Sequence, residues 1–409
     1  MKKAIVFFLL LSLTRVSLAQ KPTPMIAGHI DSIYSSTLNE QRALWIYVPP
    51  YDTEYFSKPS FPVLYVLDGD AYFPALITII SALSEINDNS VLPPMIVVGI
   101  PNSRGHRNRD LTPFVSKDMP GSGGGEAFTA FLEKEVIPYI DKTYPTAPYR
   151  VLTGHSLGGL MVVNTLLKHP SLFNAYAPTD PSMFFANEKL LLQSDTLLQQ
   201  AHLQGRSLFL AVANTMPEGL DTASVRTDTT ELTHHIRAIL QLSDHLKKYS
   251  ADSLRWAYKY YPDDDHHSLP TAAHYDALRF IFSSNRFPRN QPMNQYFDKT
   301  ISPDSMQTLI HAHYQQVSKE RGYAVKPPEA TINQFGYIFL SQKDYPRSKM
   351  FFATNIEYYP NSFNTYDGMG DYYAETKDKK MAITYYRKAL ALKHTEEIQT
   401  KLDKLLAAK

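Results

Sequence analysis

The sequence predicts an α/β protein with a mostly parallel central sheet, followed by an all-helical C-terminal segment. Three observations predict it. Continuous apolar runs, residues 61–67 and 95–100, read as strands buried on both faces, as in parallel sheets covered by helices. Those runs alternate with stretches of helical spacing, among them residues 128–140 and 160–168. From Asn333 onward the alternation stops and a 34-residue period replaces it.

Each element follows in order. Lys2 and Lys3 precede an apolar run over 4–13 that is too short to span a bilayer, and Ser17-Leu18-Ala19 is a small-residue cleavage site before Gln20. Residues 1–19 are therefore expected to be a bacterial-type signal peptide, and the mature protein periplasmic or secreted. Residues 29–35 and 42–48 alternate as edge strands, with Pro49-Pro50 ending the second. The buried strands 61–67 and 95–100 come next, then the helix over 128–140. A short strand over 149–153 leads into a glycine-rich turn and the helix over 160–168. Residues 208–213 and 256–261 are later strands, separated by a helical stretch over 229–247. These elements define an α/β unit over 28–285. Residues 286–332, opening on Arg286, Pro288 and Pro292, read as a linker and a helical stretch. In the segment 333–409, Gly336 recurs as Gly370, Asp344 as Asp378, Ser348 as Ala382 and Phe351-Phe352 as Tyr385-Tyr386. That is the period of tetratricopeptide helix–turn–helix units, with small residues where helices meet and aromatics filling the gap. Two such repeats fit packing against the α/β unit as well as binding a protein partner.

Composition narrows the function. Lys+Arg 41 balance Asp+Glu 40, which leaves no basic footprint for nucleic acid. There is no cysteine, which excludes disulfides, a lipid-anchored cysteine and a cysteine nucleophile. No second apolar run reaches spanning length, so no membrane span is expected.

The chemistry is carried by Gly154-His155-Ser156-Leu157-Gly158-Gly159. A strand, a sharp glycine-framed turn and a helix would hold the Ser156 hydroxyl exposed in a strained bend, with the first helical N–H groups aimed where an oxyanion forms. A serine hydroxyl needs a base, expected near the end of the α/β unit. His266 in Asp263-Asp264-Asp265-His266-His267-Ser268 follows a strand and is the expected base; His267 is the alternative and His274 a further candidate. His234, His235 and His245 lie on a helical stretch and read as surface residues. The Asp-Asp-Asp-His-His cluster lacks H-E-x-x-H or similar ligand spacing, so neither a metal nor a cofactor is expected.

The chain resembles the esterase family of α/β-hydrolases, which includes trilactone siderophore esterases, feruloyl and acetyl-xylan esterases, S-formylglutathione hydrolases and mycolyltransferases. The resemblance runs over about 28–285. It is carried by Arg42 with Tyr47-Val48-Pro49, Tyr65-Val66-Leu67-Asp68-Gly69, Val97 to Asn102, Arg109-Asp110-Leu111-Thr112-Pro113, the Ser156 turn and His266-His267-Ser268. It implies an α/β-hydrolase fold and an oxyanion hole formed by the N–H groups of Leu157 and Asp70. It also implies an acid after the strand 208–213. Asp228 is the expected acid, with Glu231, Asp221, Glu218 or no acid at all as alternatives. Arg104 and Arg109 are candidates for binding an anionic or catecholate-rich substrate, against a reading in which Arg109 and Asp110 pair to fix their loop. The expected function is an exported serine esterase acting on a small-molecule ester, first a siderophore-type ester. A plant-polysaccharide feruloyl or acetyl ester comes second. A non-catalytic partner-binding scaffold and acyl transfer to another alcohol are the remaining readings.

Overall fold

The computed structural model describes residues 28–84, 90–102, 105–249, 253–286 and 297–407. The expected signal peptide and Arg104 lie outside them. Eight strands form one sheet: β1 His29–Ser35, β2 Glu40–Tyr47, β3 Phe61–Leu67, β4 Ile96–Ile100, β5 Thr146–His155, β6 Ala175–Thr179, β7 Arg206–Ala213 and β8 Leu254–Tyr261. Their order is β1-β2-β4-β3-β5-β6-β7-β8. β1 pairs antiparallel with β2, and β2 with β4; every later pairing is parallel. The α/β-hydrolase fold expected from the sequence is therefore the fold present. One strand was not expected. β6 contains Pro178, paired with Gly154 in the middle of the sheet, and proline argues against a central strand because it cannot donate to the ladder.

Both sheet faces are covered. The helices are α1 Gly69–Ser84, α2 Arg107–Asp110, α3 Gly125–Phe131, α4 Ile137–Thr143, α5 Leu157–Lys168, α6 Phe185–Gln200, α7 His234–Tyr249 and α8 Leu269–Ile281. A π-helical turn over Leu132–Val136 joins α3 to α4. Alternate residues of β3 serve the two faces: Val63, Tyr65 and Leu67 pack under α3 to α7, whereas Leu64 and Val66 pack under α1 and α8. This is why the strand reads as a continuous apolar run rather than an alternating one.

The C-terminal part is helical: α9 Pro303–Arg321, α10 Glu329–Ser341, α11 Tyr345–Tyr358, α12 Phe363–Glu375, α13 Lys379–Leu392 and α14 Glu396–Ala407. The hairpin α10–α11 recurs as α12–α13. Asp344 and Asp378 cap the second helix of each by accepting the N–H groups of Arg347 and Met381. Gly336 and Gly370 sit against the rings of Phe352 and Tyr386, where a Cβ would fall 2.5 Å from ring carbons.

This segment docks at the N-terminal ends of the parallel strands. Glu329 accepts the Ser57 N–H at 2.8 Å from the loop before β3. Arg321 donates to Asn285 and lies over the Phe282 ring. Asn285 in turn donates to the Ser90 carbonyl ahead of β4. A cleft of about 490 Å³ opens at this junction, lined by Tyr149, Arg206, Arg255 and Arg321 among others. Among the described residues no helix is long and apolar enough to cross a membrane.

Candidate active site

At the other end of the sheet, the loops leaving the C-terminal ends of the strands bring the chemistry together. Ser156 follows β5 with φ 60° and ψ −118°, a conformation that L-residues rarely adopt. The turn is possible because Gly154 and Gly158 touch: a Cβ on Gly154 would fall 2.7 Å from the Gly158 carbonyl group. The strained residue is clamped from both sides. Its N–H donates to the Thr179 carbonyl and its own carbonyl accepts the Ser182 N–H, each at 3.1 Å. The Ser156 hydroxyl rests 3.2 Å from Ser182 Oγ. Leu157 opens α5, so its N–H has no partner within the helix.

His266, on the loop after β8, meets Asp180 on the loop after β6. His266 Nδ1 stands 2.6 Å from Asp180 Oδ2. Asp180 is fully buried, with φ 41°. Burial alone pushes its carboxyl up, but hydrogen bonds from His235 and His266 and from the Ala213 N–H outweigh that and hold it well below the usual carboxylate range. An ionised Asp180 can only accept, so His266 presents a proton on Nδ1, which in the neutral ring leaves the lone pair on Nε2. The ring of His155, the residue before Ser156, lies 4.4 Å from the His266 ring. Tyr72 OH is 2.9 Å from His155 Nδ1. Burial, with His266 close by, pushes His155 down to about 4, so a neutral ring stands beside His266.

Several expected residues sit elsewhere. Asp228 is not the partner of His266. Its carboxylate accepts the N–H groups of Thr229 and Thr230 and the hydroxyls of Thr230 and Thr233, which hold its pKa at about 2. It closes its own loop ahead of α7. Asp221 likewise binds Ala223 and Ser224, and the Glu231 side chain is 95% exposed. The connection 214–233 thus carries no carboxylate that touches His266. His267 is exposed and only edges onto His266, and His274 is buried under the sheet. His235, expected on the surface, donates to Asp180 as well, at 2.7 Å.

Arg109 does not offer its guanidinium to a substrate. Its Nη groups grip both Glu40 oxygens and its Nε donates to Asp110, which also holds the buried Arg42. The hydrogen bond from Arg109 is the main reason that Glu40 is held at about 2. Asp70 is the second residue of α1, so its N–H also lacks an intrahelical partner. Its carboxylate turns aside to accept the Asn102 N–H at 3.2 Å. Next to it, Asp68 receives a bidentate pair from Arg107, 2.7 and 2.8 Å, and the Asn102 amide at 2.6 Å. Sequence reasoning missed this clamp between the loops after β3 and β4. Asp180, His235 and His266 are also the cluster whose ligand atoms lie close enough to share an ion. Their 2.6 and 2.7 Å separations are hydrogen-bond lengths, shorter than the roughly 3.3 Å edge of a tetrahedral shell with bonds of about 2.0 Å.

The family model described as "Putative esterase" matches residues 35–300. Ferri-bacillibactin esterase BesA of Bacillus subtilis is 28% identical over 183 residues, a match covering 39% of this chain and 61% of that protein. The siderophore triacetylfusarinine C esterase of Aspergillus fumigatus is 23% identical over 210 residues, 47% of this chain and 70% of that one. Among solved structures, an IroE-like serine hydrolase from Shewanella oneidensis is 26% identical with a TM-score of 0.66, covering 81% of this chain and 99% of its own. An uncharacterised protein from Capnocytophaga ochracea, 16% identical with a TM-score of 0.57, covers 93% of this chain and 99% of its own; it shares the fold across the helical segment too.

Proposed function

The chain belongs to this esterase family and is a carboxylic ester hydrolase, and from that premise we propose that it is a serine esterase acting through Ser156, His266 and Asp180 on a siderophore-type ester. The observation that carries the proposal is the 2.6 Å bond from His266 to a buried, ionised Asp180 beside the Ser156 turn. His266 Nε2 takes the Ser156 proton as Oγ attacks the ester carbonyl. The oxyanion is received by the N–H groups of Leu157 and Asp70. His266 then protonates the leaving alcohol, and water, activated by the same nitrogen, clears the acyl-enzyme. Asp180 holds the tautomer and steadies the imidazolium. The resting Ser156–Ser182 contact must break as Oγ turns to the base. The siderophore assignment draws on two curated relatives, one named a ferri-bacillibactin esterase and the other a siderophore triacetylfusarinine C esterase. On the pattern of residues 2–19 the reaction runs outside the cytoplasm, and N-terminal sequencing of the mature protein should begin at Gln20. The paired hairpins at 34-residue spacing are read as tetratricopeptide-like.

The test is labelling by a fluorophosphonate probe together with hydrolysis of a panel of catecholate trilactone, feruloyl, acetyl-sugar and nitrophenyl esters. Labelling should vanish in Ser156→Ala, and turnover should fall by about 10⁶-fold. The trilactone should be the best substrate by kcat/KM. A folded wild-type protein that neither labels nor turns over any ester would favour the scaffold reading, and a feruloyl or acetyl-sugar preference would overturn the siderophore assignment.

A further inference from the structure

We propose that His235 is a positioning residue that shares Asp180 with His266 and makes esterase activity depend on the protonation of two imidazoles rather than one. The proposal rests on the Ser156–His266–Asp180 reading and goes beyond it. Asp180 Oδ2 accepts two imidazole N–H groups at once, His266 Nδ1 at 2.6 Å and His235 Nε2 at 2.7 Å, while Oδ1 accepts the Ala213 N–H at 2.9 Å. Both histidines therefore present a proton to one oxygen of a carboxylate that water does not reach.

The fold builds this arrangement deliberately. His235 is the second residue of α7, and the first turn of that helix is pinned by its neighbour, His234 Nε2, which lies 2.9 Å from Glu188 at the start of α6. Glu188 reaches that position from a run of three residues with positive φ, Ala186 to Glu188. The His235 ring is held by Phe184 on one side, 5.4 Å between centroids, and stands edge-on to the His266 ring at 5.1 Å. The titratable groups facing His235 are thus Asp180 from the loop after β6 and His266 from the loop after β8. His234, on its own helix, is turned to Glu188 and Glu231.

Two consequences follow for the reaction. The third hydrogen bond keeps Asp180 ionised and fixed, so His266 meets a carboxylate that cannot rotate away. The second imidazole also competes. When His235 gains a proton at its Nδ1, a cation stands on the same oxygen that must steady the His266 imidazolium formed in each acyl-transfer step. Forming the second cation there is then opposed, and turnover falls. The acid side of the pH profile belongs to the pair.

The experiment is the pH profile of kcat/KM for wild type, His235→Gln and His235→Leu on a nitrophenyl ester, with Ser156→Ala and His266→Ala as controls. Gln keeps an N–H donor and cannot take the proton. Wild type should lose activity in two coupled proton steps as pH falls, and H235Q in one, with a different midpoint. On the alkaline plateau H235L should lose kcat by about tenfold with little change in KM, the cost of one hydrogen bond to a charged group, and H235Q should recover most of it. A one-proton acid limb with the same midpoint in wild type and H235Q overturns the proposal, whether or not H235L folds. If S156A or H266A retains activity, it is the reading of the site that fails instead.

Discussion

At the scale of single residues, the molecule assigns two aspartates opposite fates. Asp228 is surrounded by threonine hydroxyls and its own loop's N–H groups. Asp180 is buried between two imidazoles. Asp180→Asn should therefore lower kcat by about 10⁴-fold, because an amide can donate to Nδ1 and favour the wrong tautomer of His266. Asp228→Asn should cost some stability and little turnover. Steady-state kinetics on the two variants separates the acid expected from the sequence from the one proposed from the fold. A second residue-scale expectation concerns His274, which is fully buried with neither ring nitrogen hydrogen-bonded. Burial pushes it from 6.5 down to about 3. The unfolded chain binds this proton near pH 6.5 and the folded protein does not. Stability from this residue is intact above pH 6.5 and is lost as pH falls toward 3, at up to about 1.4 kcal/mol per unit. Urea melts should show wild type losing roughly 2–3 kcal/mol more than His274→Leu between pH 7 and pH 4.

At the scale of elements, the β5–turn–α5 unit is fixed by backbone contact rather than side chains. Gly154→Ala would push a methyl group into the Gly158 carbonyl. We expect a loss of about 1–3 kcal/mol in stability, read as a lower Tm, and a larger loss in kcat than in KM, because the turn that aims Ser156 and Leu157 must open. This unit was legible in the sequence because its glycines, strand and helix are contiguous. The proposed base was legible for a similar reason: His266 stands in a polar segment just after a strand. The proposed acid was not. Its strand, β6, is five residues long and contains Pro178, so neither length nor propensity marks it, and an aspartate after an unrecognised strand does not announce itself as a site residue. A signal was present in Ala175-Tyr-Ala-Pro-Thr-Asp180: one carboxylate in an apolar stretch must find a partner when buried. Arg109 was half legible: its pairing with Asp110 to fix the loop was one of the two readings, and its grip on Glu40 was not foreseen. Loop arginines suggest anion binding, but Glu40 lies 69 positions away in sequence and only the fold brings it to the guanidinium.

At the scale of the whole molecule, the sheet separates two regions. The loops of the candidate site leave the C-terminal ends of the parallel strands, and the helical segment docks on the N-terminal ends through Glu329, Arg321 and Asn285. Glu329→Ala leaves the Ser57 N–H without its acceptor, at a cost of about 1–3 kcal/mol to the junction. Limited proteolysis should then release the helical segment sooner, while kcat/KM on a nitrophenyl ester stays within about twofold, since the site and the junction share no partners. The position of the acid has a consequence for how such an enzyme can change. With Asp180 supplied by the short, buried turn after β6, none of the carboxylates in the 20 residues between β7 and α7 is needed to orient His266. Between Asn214, which ties it to the His266 loop, and the Asp228–Thr233 turn that leads into His235, that stretch can be resurfaced by mutation without touching the proposed proton relay, so preference for one ester over another can drift while the hydrolytic step is inherited intact.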